Sequence, residues 1–598
     1  MWISSTSLTT TSLRRTSKLV SDRLSGGFSC LTARWLFCSA ALFFQLLLLA
    51  GVASPQSPDS SSQADVVKER IDRELKKQEE PSSKEPSIQV PPEPAAPVPP
   101  ESPRFLVQQI TVRGNAVIST AELDFLIAPL FQSREMTLRE LQGLPEVIQR
   151  EYRRRGYLTT VAYLPPQKIE EGKVVIEVLE GRFGDLQIEG NQHFKEAQVR
   201  RYWSIRSGQV LRYQQMKRCL RRMNANPDRK VQALLRPGVT TGTTNVVLRV
   251  EDRSPIHPGF FVDQRGTKAI GLQRFGGTLR HSNLLGRDDS LLIGFVGGQF
   301  FGAGFGQYSV PLGPFGTRLI LSASHAQVAP RRQFKRSGVN GTSETYSIAL
   351  GQSLLSSDQA RVDLKGGLDV MESRTKVFSS VTRRDRLRVV RLEPEARFTD
   401  SQGVWSFGPQ LAFGLGGLGA SKEDNPLASR PHAKPDFVKF KLEATRAQRM
   451  PWSTQAILSV TGQLAASKLT PQEELYLGGA TSVRGYPEGD YLADDGFFSR
   501  FDYLVPIYFI PPTWRIPGFE ESLKDSLNFV AFVDRGYGQL RGITGEEHIR
   551  QNLMGLGIGF VFQTKECMVR VEYAFNVGDD PLTDDSHQFI HFRIQNEF

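Results

Sequence analysis

The sequence predicts a 16-stranded antiparallel transmembrane β-barrel, preceded by two small α/β domains of similar plan. Three observations lead there. An apolar run near the N-terminus has the flanks of an export signal. Two units of about 75 residues repeat a β-α-α-β-β order. From Ser254 onward, segment after segment alternates apolar and polar residues.

Composition narrows the class first. Only 39% of the 598 residues are hydrophobic, so a bundle of membrane helices is not expected. The 53 glycines and 37 phenylalanines suit many strands joined by turns. The formal charge of +11 suggests nucleic acid at first sight. The arginines, however, are scattered at strand spacing rather than gathered on one helix or stripe, so no nucleic-acid partner is expected.

Trp35 to Ala53 is the long apolar run. Arg14, Arg15, Lys18, Arg23 and Arg34 precede it, and Gly51, Ala53 and Ser54 close it. Residues 1–53 therefore read as a signal sequence cleaved near Ala53. A single membrane anchor has the same apolar run, and the Ser/Thr-rich, acid-poor start also fits a transit peptide or a start codon assigned too early. Cys30 and Cys38 lie in this segment, which leaves Cys219 and Cys567 far apart. That spacing offers neither a disulfide framework nor a metal site.

Residues 54–80 contain a highly charged helix, Ala64 to Glu80, with Val67, Ile71 and Leu75 at i, i+4, i+8. So narrow a stripe fits a solvated helix or disordered tail as well as it fits a plug or docking element. Residues 81–103 are a Pro-rich linker and should be extended and stiff.

The first α/β unit spans 104–180. A strand from Phe105 to Val112 leads into an Arg113-Gly114-Asn115 turn, helices over 120–128 and 137–155, and strands over 158–164 and 173–179. The second unit, 181–252, repeats this plan. It has a strand at 183–188, a Gly190-Asn191 turn, helices over 196–203 and 213–223, and strands over 231–236 and 244–250. A small sheet with an accessible edge can accept an extended peptide as an added strand; a rigid spacer would look the same.

Residues 253–598 supply the barrel. Val569, Val571, Tyr573 and Phe575 alternate with Arg570 and Glu572, and Val438, Phe440, Leu442 and Ala444 alternate with Lys439, Lys441 and Glu443. Sixteen strands are expected near 259–266, 271–281, 290–299, 304–312, 317–326, 344–354, 360–373 and 386–398. The rest are expected near 404–416, 437–447, 454–466, 496–509, 527–535, 551–563, 567–576 and 588–598. Short and long connections take turns between them, as in outer-membrane barrels. A soluble sandwich or propeller would show the same alternation. The signal and the strand lengths favour the membrane. So does a last strand in which Ile590, Phe592, Ile594 and Phe598 alternate with polar residues and could close on the first.

One stretch breaks the pattern. Leu477 to Tyr486 (LGGATSVRGY), followed by Pro487 to Asp490, sets Arg484 among glycines between two long half-apolar strands. A charge held there needs a partner carboxylate.

Taken together, these features resemble the outer-membrane two-partner secretion transporters (TpsB; the ShlB/FhaC/HecB haemolysin secretion/activation family), of the same superfamily as the BamA insertase. The residues that carry the resemblance are the V-x-G-N opening (Val112 to Asn115) and RRRGY helix end of the first α/β unit, with Gly190-Asn191 at the matching turn of the second, which resemble POTRA domains, together with LGGATSVRGY and FVDRGYG. The resemblance spans residues 64–598. It implies that Val483, Arg484, Gly485 and Tyr486 form a loop motif tucked into the lumen, and that Asp534 on the following upward strand pairs with Arg484. Arg535, next to Asp534, stands out as a competitor for that carboxylate. The resemblance also implies that residues 64–80 fill the lumen at rest and that Phe598 marks the C-terminal barrel signal.

No catalytic, cofactor-binding or metal-binding motif stands out, so neither an enzyme nor a cofactor is expected. The expected partners are an unfolded secreted exoprotein, outer-membrane lipid and the barrel-assembly machinery, with the POTRA units in the periplasm of a Gram-negative-type bacterium. Alternatives are a BamA-type assembly factor and a passive channel.

Overall fold

The computed structural model describes residues 88–89, 104–131, 135–313, 315–330, 338–357, 359–542 and 550–597. Residues 1–53, the charged segment 64–80, most of the linker and Phe598 lie outside them.

Alternation builds the first α/β unit. Val174, Ile176 and Val178 of β6 (Lys173–Leu179) point to one face, where β3 (Gln109–Arg113) pairs parallel and β5 (Val161–Tyr163) antiparallel. Two helices cover that face: α1 (Thr120–Phe131) and α2 (Leu138–Arg154). Leu141, Leu144 and Ile148 of α2 are buried against the sheet, as their spacing predicts. Thr137 and Glu140 close a capping box at its start. At the core's edge, Glu180 accepts hydrogen bonds from the Tyr152 hydroxyl (2.8 Å) and the Ala116 and Val117 amides (both 2.7 Å). The expected opening strand is interrupted at Val107 and Gln108; its first part, β2 (Arg104–Leu106), pairs instead with β4 (Glu135–Thr137).

The second unit repeats the arrangement with β7 (Arg182–Glu189), α3 (Glu196–Arg200), α4 (Tyr213–Met223), β8 (Arg229–Pro237) and β9 (Thr243–Asp252). Helix α3 stops three residues short of the sequence expectation, and residues 201–203 continue as turns. The Pro-rich segment is not all extended linker. Ile88–Gln89 of the Pro-rich segment forms β1, parallel to Ala233–Leu234 on the edge of β8. Ile88 packs against the second unit's core.

Sixteen strands then close a barrel. They are β10 (Ile256–Asp263), β11 (Arg274–His281), β12 (Ser290–Gly298), β13 (Phe301–Pro311), β14 (Thr317–Val328) and β15 (Asn340–Ser356). Next come β16 (Ala360–Val377), β17 (Ser380–Thr399), β18 (Gly403–Gly414), β19 (Val438–Arg449) and β20 (Gln455–Ala465). After two short strands, β21 (Leu475–Leu477) and β22 (Tyr491–Ala493), the wall resumes with β23 (Asp495–Pro506). A short helix, α5 (Leu523–Ser526), precedes β24 (Leu527–Gln539), and β25 (Arg550–Gln563), β26 (Cys567–Asn576) and β27 (Gln588–Glu597) complete it. Strand β27 pairs antiparallel with β10, so the described sheet has no free edge.

The orientation of side chains decides between membrane and soluble architectures. Val533, Ile558, Phe560 and Val571 face outward at 42–52% exposure, while Asp534, Glu572 and Arg593 face inward at 0–4%. A soluble sandwich buries its apolar face; this wall displays it, as a lipid-facing barrel must. The β15–β17 strands run to 17–20 residues, longer than expected. Their extensions, such as Ser373 to Lys376 and Arg383 to Arg386, are charged and paired beyond the apolar band, where no apolar alternation marks them.

A polar joint fixes the second unit to the barrel. Arg229 of β8 reaches Asp288 with two nitrogens at 3.0 and 3.1 Å. Asp228 meets His257 of β10 at 2.8 Å and accepts a hydrogen bond from Ser282. Chain direction from this joint puts the 466–494 connection at the opposite, outer end.

Candidate functional site in the barrel lumen

The connection between β20 and β23 does not stay outside. β21 and β22 pair as a hairpin whose tip, residues 478–490, descends into the lumen. Depth follows from its contacts. Arg484 touches Asp502, seven residues into β23, about 23 Å along the strand at 3.3 Å per residue.

Arg484 is fully buried and saturated by carboxylates. Its Nε and one terminal nitrogen donate to the two Asp534 oxygens at 2.6 and 2.7 Å, and its own backbone N–H donates to Asp534 at 2.9 Å. The remaining contacts are Asp502 on β23 (2.6 Å) and Glu572 on β26 (2.5 Å). The guanidinium lies 3.5 Å over the Phe532 ring, a cation–π arrangement. Arg570 bonds both Asp502 (2.9 Å) and Glu572 (2.6 Å), and Arg500 sits opposite Asp534 in the β23–β24 register. Three cations thus face three carboxylates. Buried charges persist only when balanced and hydrogen-bonded in this way.

Arg535 does not compete. Successive residues of a strand face opposite sides, and Arg535 is exposed on the outer face while Asp534 is buried inside. Asp502 and Glu572 were missed from sequence. The local strings Arg-Phe-Asp and Val-Glu-Tyr look like any polar inward position of a barrel strand, and only closure brings β23, β24 and β26 around one arginine.

The neighbours of Arg484 fix the tip. Val483 and Tyr486 are fully buried with Leu475, Leu477, Tyr491 and Leu553. The Tyr486 hydroxyl donates to the Asp579 carbonyl (3.0 Å) and accepts from the Met554 amide (3.3 Å). Gly485 has φ +90°, and a Cβ there would lie 2.7 Å from the Phe575 carbonyl carbon. Asp490 ties the far side of the hairpin down, accepting from the Leu582 and Thr583 amides and from the Thr583 hydroxyl at 2.6 Å.

Gly555 on β25 leaves room for the Arg484 backbone. A Cβ there would fall 1.8 Å from the Arg484 carbonyl oxygen. Gly555→Ala is therefore expected to lower the free energy of unfolding by about 1–3 kcal/mol through overpacking. Denaturant titration of the detergent-folded barrel measures this. Gly304→Ala, whose Cβ meets nothing nearer than 3.9 Å, serves as the control and should cost little.

Among the described residues no group of His, Cys, Asp or Glu could hold a metal ion, and Cys219 and Cys567 are buried and unpaired with each other. No helix of the described chain is long and apolar enough to cross a membrane.

A closed lipid-facing barrel with an inward loop, carrying two α/β units at one end, defines a POTRA-bearing β-barrel of the outer membrane. Comparison with known proteins narrows this. The chain belongs to the haemolysin secretion/activation protein family ShlB/FhaC/HecB, which it matches over residues 242–562; residues 105–181 match the ShlB-type POTRA domain. It is 25% identical over 459 residues to the outer membrane transporter CdiB of Dickeya dadantii, covering 73% of this chain and 77% of that one. The heme/hemopexin transporter protein HuxB of Haemophilus influenzae is 22% identical over 409 residues, covering 67% and 72%. In fold it is similar to CdiB from Escherichia coli (TM-score 0.67, 20% identity, 92% of this chain and 100% of that one). It is more distantly similar to BamA from Haemophilus ducreyi (TM-score 0.52, 13% identity, 83% and 100%). The chain is an outer-membrane protein whose POTRA units lie in the periplasm.

Proposed function

We propose that this chain secretes one exported partner protein across the outer membrane, taking it up unfolded at the POTRA units and passing it through the lumen. The single observation that carries this is the lumen itself. It is a polar, charge-lined passage closed by a loop on balanced ion pairs, and the POTRA units stand at its other end.

Docking has a defined place in this reading. The β8 edge is already occupied at Ala233–Leu234 by the chain's own Ile88–Gln89. Among the described residues no strand pairs with the β5 edge of the first unit, and Val161 and Tyr163 there are exposed. An extended segment of the partner adds to that edge, main chain to main chain. It then enters the barrel as residues 64–80 leave and the Arg484 tip, latched by Asp534, yields. The sequence carries no Walker-type loop, and folding of the partner outside gives passage its direction.

The test is coexpression with a large exported protein encoded beside this gene. The partner should reach the medium with this chain and stay in the periplasm without it; equal release in both would refute the proposal. Removing residues 64–80 should raise conductance in planar bilayers, and unchanged conductance would remove the plug from the account. BamA-type assembly is the second reading, favoured only by the shared fold. It predicts that loss of this chain depletes other barrels from the membrane.

A further inference from the structure

Above the Arg484 tip, a second charged network grips the stalk by which the inserted hairpin leaves the wall. Glu473, 1% exposed, lies between β20 and β21. Its two oxygens meet Arg391 of β17 at 2.5 and 3.3 Å and Lys439 of β19 at 2.6 Å. Its carbonyl accepts from Lys439 (2.9 Å) and from Gln463 of β20 (3.0 Å). Arg391 is braced in turn by Asp369 of β16 at 2.6 Å.

The neighbouring Glu474 pairs with Arg430, which sits in the long outer connection between β18 and β19. Arg430 also contacts both oxygens of Asp494, at 3.0 and 3.1 Å, where the hairpin rejoins the wall. Asp494 accepts from the Leu469 and Arg541 amides, both at 2.7 Å. The stalk is thus held by β16, β17, β19 and β20, whereas the tip is held by β23, β24 and β26 on another arc of the wall.

We infer that the Glu473–Arg391–Lys439 triad, backed by Arg430 on Glu474 and Asp494, is a second lock on the inserted loop. It sets how far the loop can withdraw once the Arg484 tip lets go. The inference rests on the reading of the loop as the element that yields during transport. With the stalk held, the hairpin can only pivot about residues 473–474 and 494. With both anchors released, it can leave the lumen as a unit. The outer connection carrying Arg430 is coupled to that event, because it must part from the stalk.

The test uses Ala480→Cys in the full chain on intact cells, labelled by a membrane-impermeant maleimide. Ala480 is 5% exposed and the two described native cysteines are buried. Labelling rates are compared in the parent, Arg484→Ala, Glu473→Gln and the double variant. Two locks predict a rise of a few-fold in each single variant and more than the product of the two in the double. Glu473→Asp should restore the slow rate. If Arg484→Ala alone labels as fast as the double, the stalk is no lock and the inference falls. Heat-modifiable migration on gels checks that each barrel is folded. Should Glu473→Gln not fold, Lys439→Gln takes its place with the same expectations. The readout needs no passenger, so it can fail while secretion stands, and the reverse.

Discussion

Arg484→Ala is expected to lower the free energy of unfolding by about 3–5 kcal/mol, the usual cost of removing one partner from a buried charge network. The truncation leaves Asp502, Asp534 and Glu572 facing two arginines, one negative charge in excess in a water-poor wall. Asp534→Ala should be milder. Arg484 then keeps Asp502 at 2.6 Å and Glu572 at 2.5 Å, losing the paired contact and the bond to its own N–H. The double variant should be no worse than Arg484→Ala alone, because the interactions lost belong to one network. Arg484→Lys should not rescue, since a single ammonium cannot serve carboxylates on three strands as the planar guanidinium does. Denaturant midpoints of the folded barrel, read by heat-modifiable migration, measure all four. Strictly additive losses would contradict the network.

Deleting residues 104–252 while retaining the barrel should abolish secretion of the partner. Both units are lost, and with them the β5 edge and the Arg229–Asp288 joint that orients the second unit beneath the lumen. A narrower change separates docking from architecture. Val161→Pro removes a backbone donor on β5 and should cut secretion at least tenfold if the partner pairs there. The comparison is made by immunoblot of medium and periplasm. Secretion that survives the whole deletion would remove the POTRA units from the mechanism.

The strands were legible because each must present apolar residues to lipid every second position, a signal that survives without neighbours. That signal failed where its cause ended. β16 and β17 extend past the apolar band, and there Arg374, Arg383 and Arg384 obey no lipid constraint. Ile88–Gln89 passes for plain linker because two residues among prolines carry no period; their partner on β8 lies some 145 residues on. The prominence of Arg484 came from its glycine-rich setting, and its pairing with Asp534 from family resemblance. Asp502 and Glu572 had neither mark. The same holds for Glu473 with Arg391 and Lys439, which are separated widely in sequence and joined only when the sheet closes.

Passage of a polypeptide through this lumen is tested most directly by a stalled passenger. The partner would be fused to a tightly folded, disulfide-closed domain that cannot traverse the barrel, and a photoreactive residue placed at Thr461 or at Val460. These neighbours on β20 face opposite sides: Thr461 is 8% exposed on the inner face and Val460 37% on the lipid face. Irradiation should join the passenger to the chain at Thr461 and not at Val460. A passenger that crosslinks at Val460, or at neither position while still stalled at the membrane, would contradict transport through the barrel.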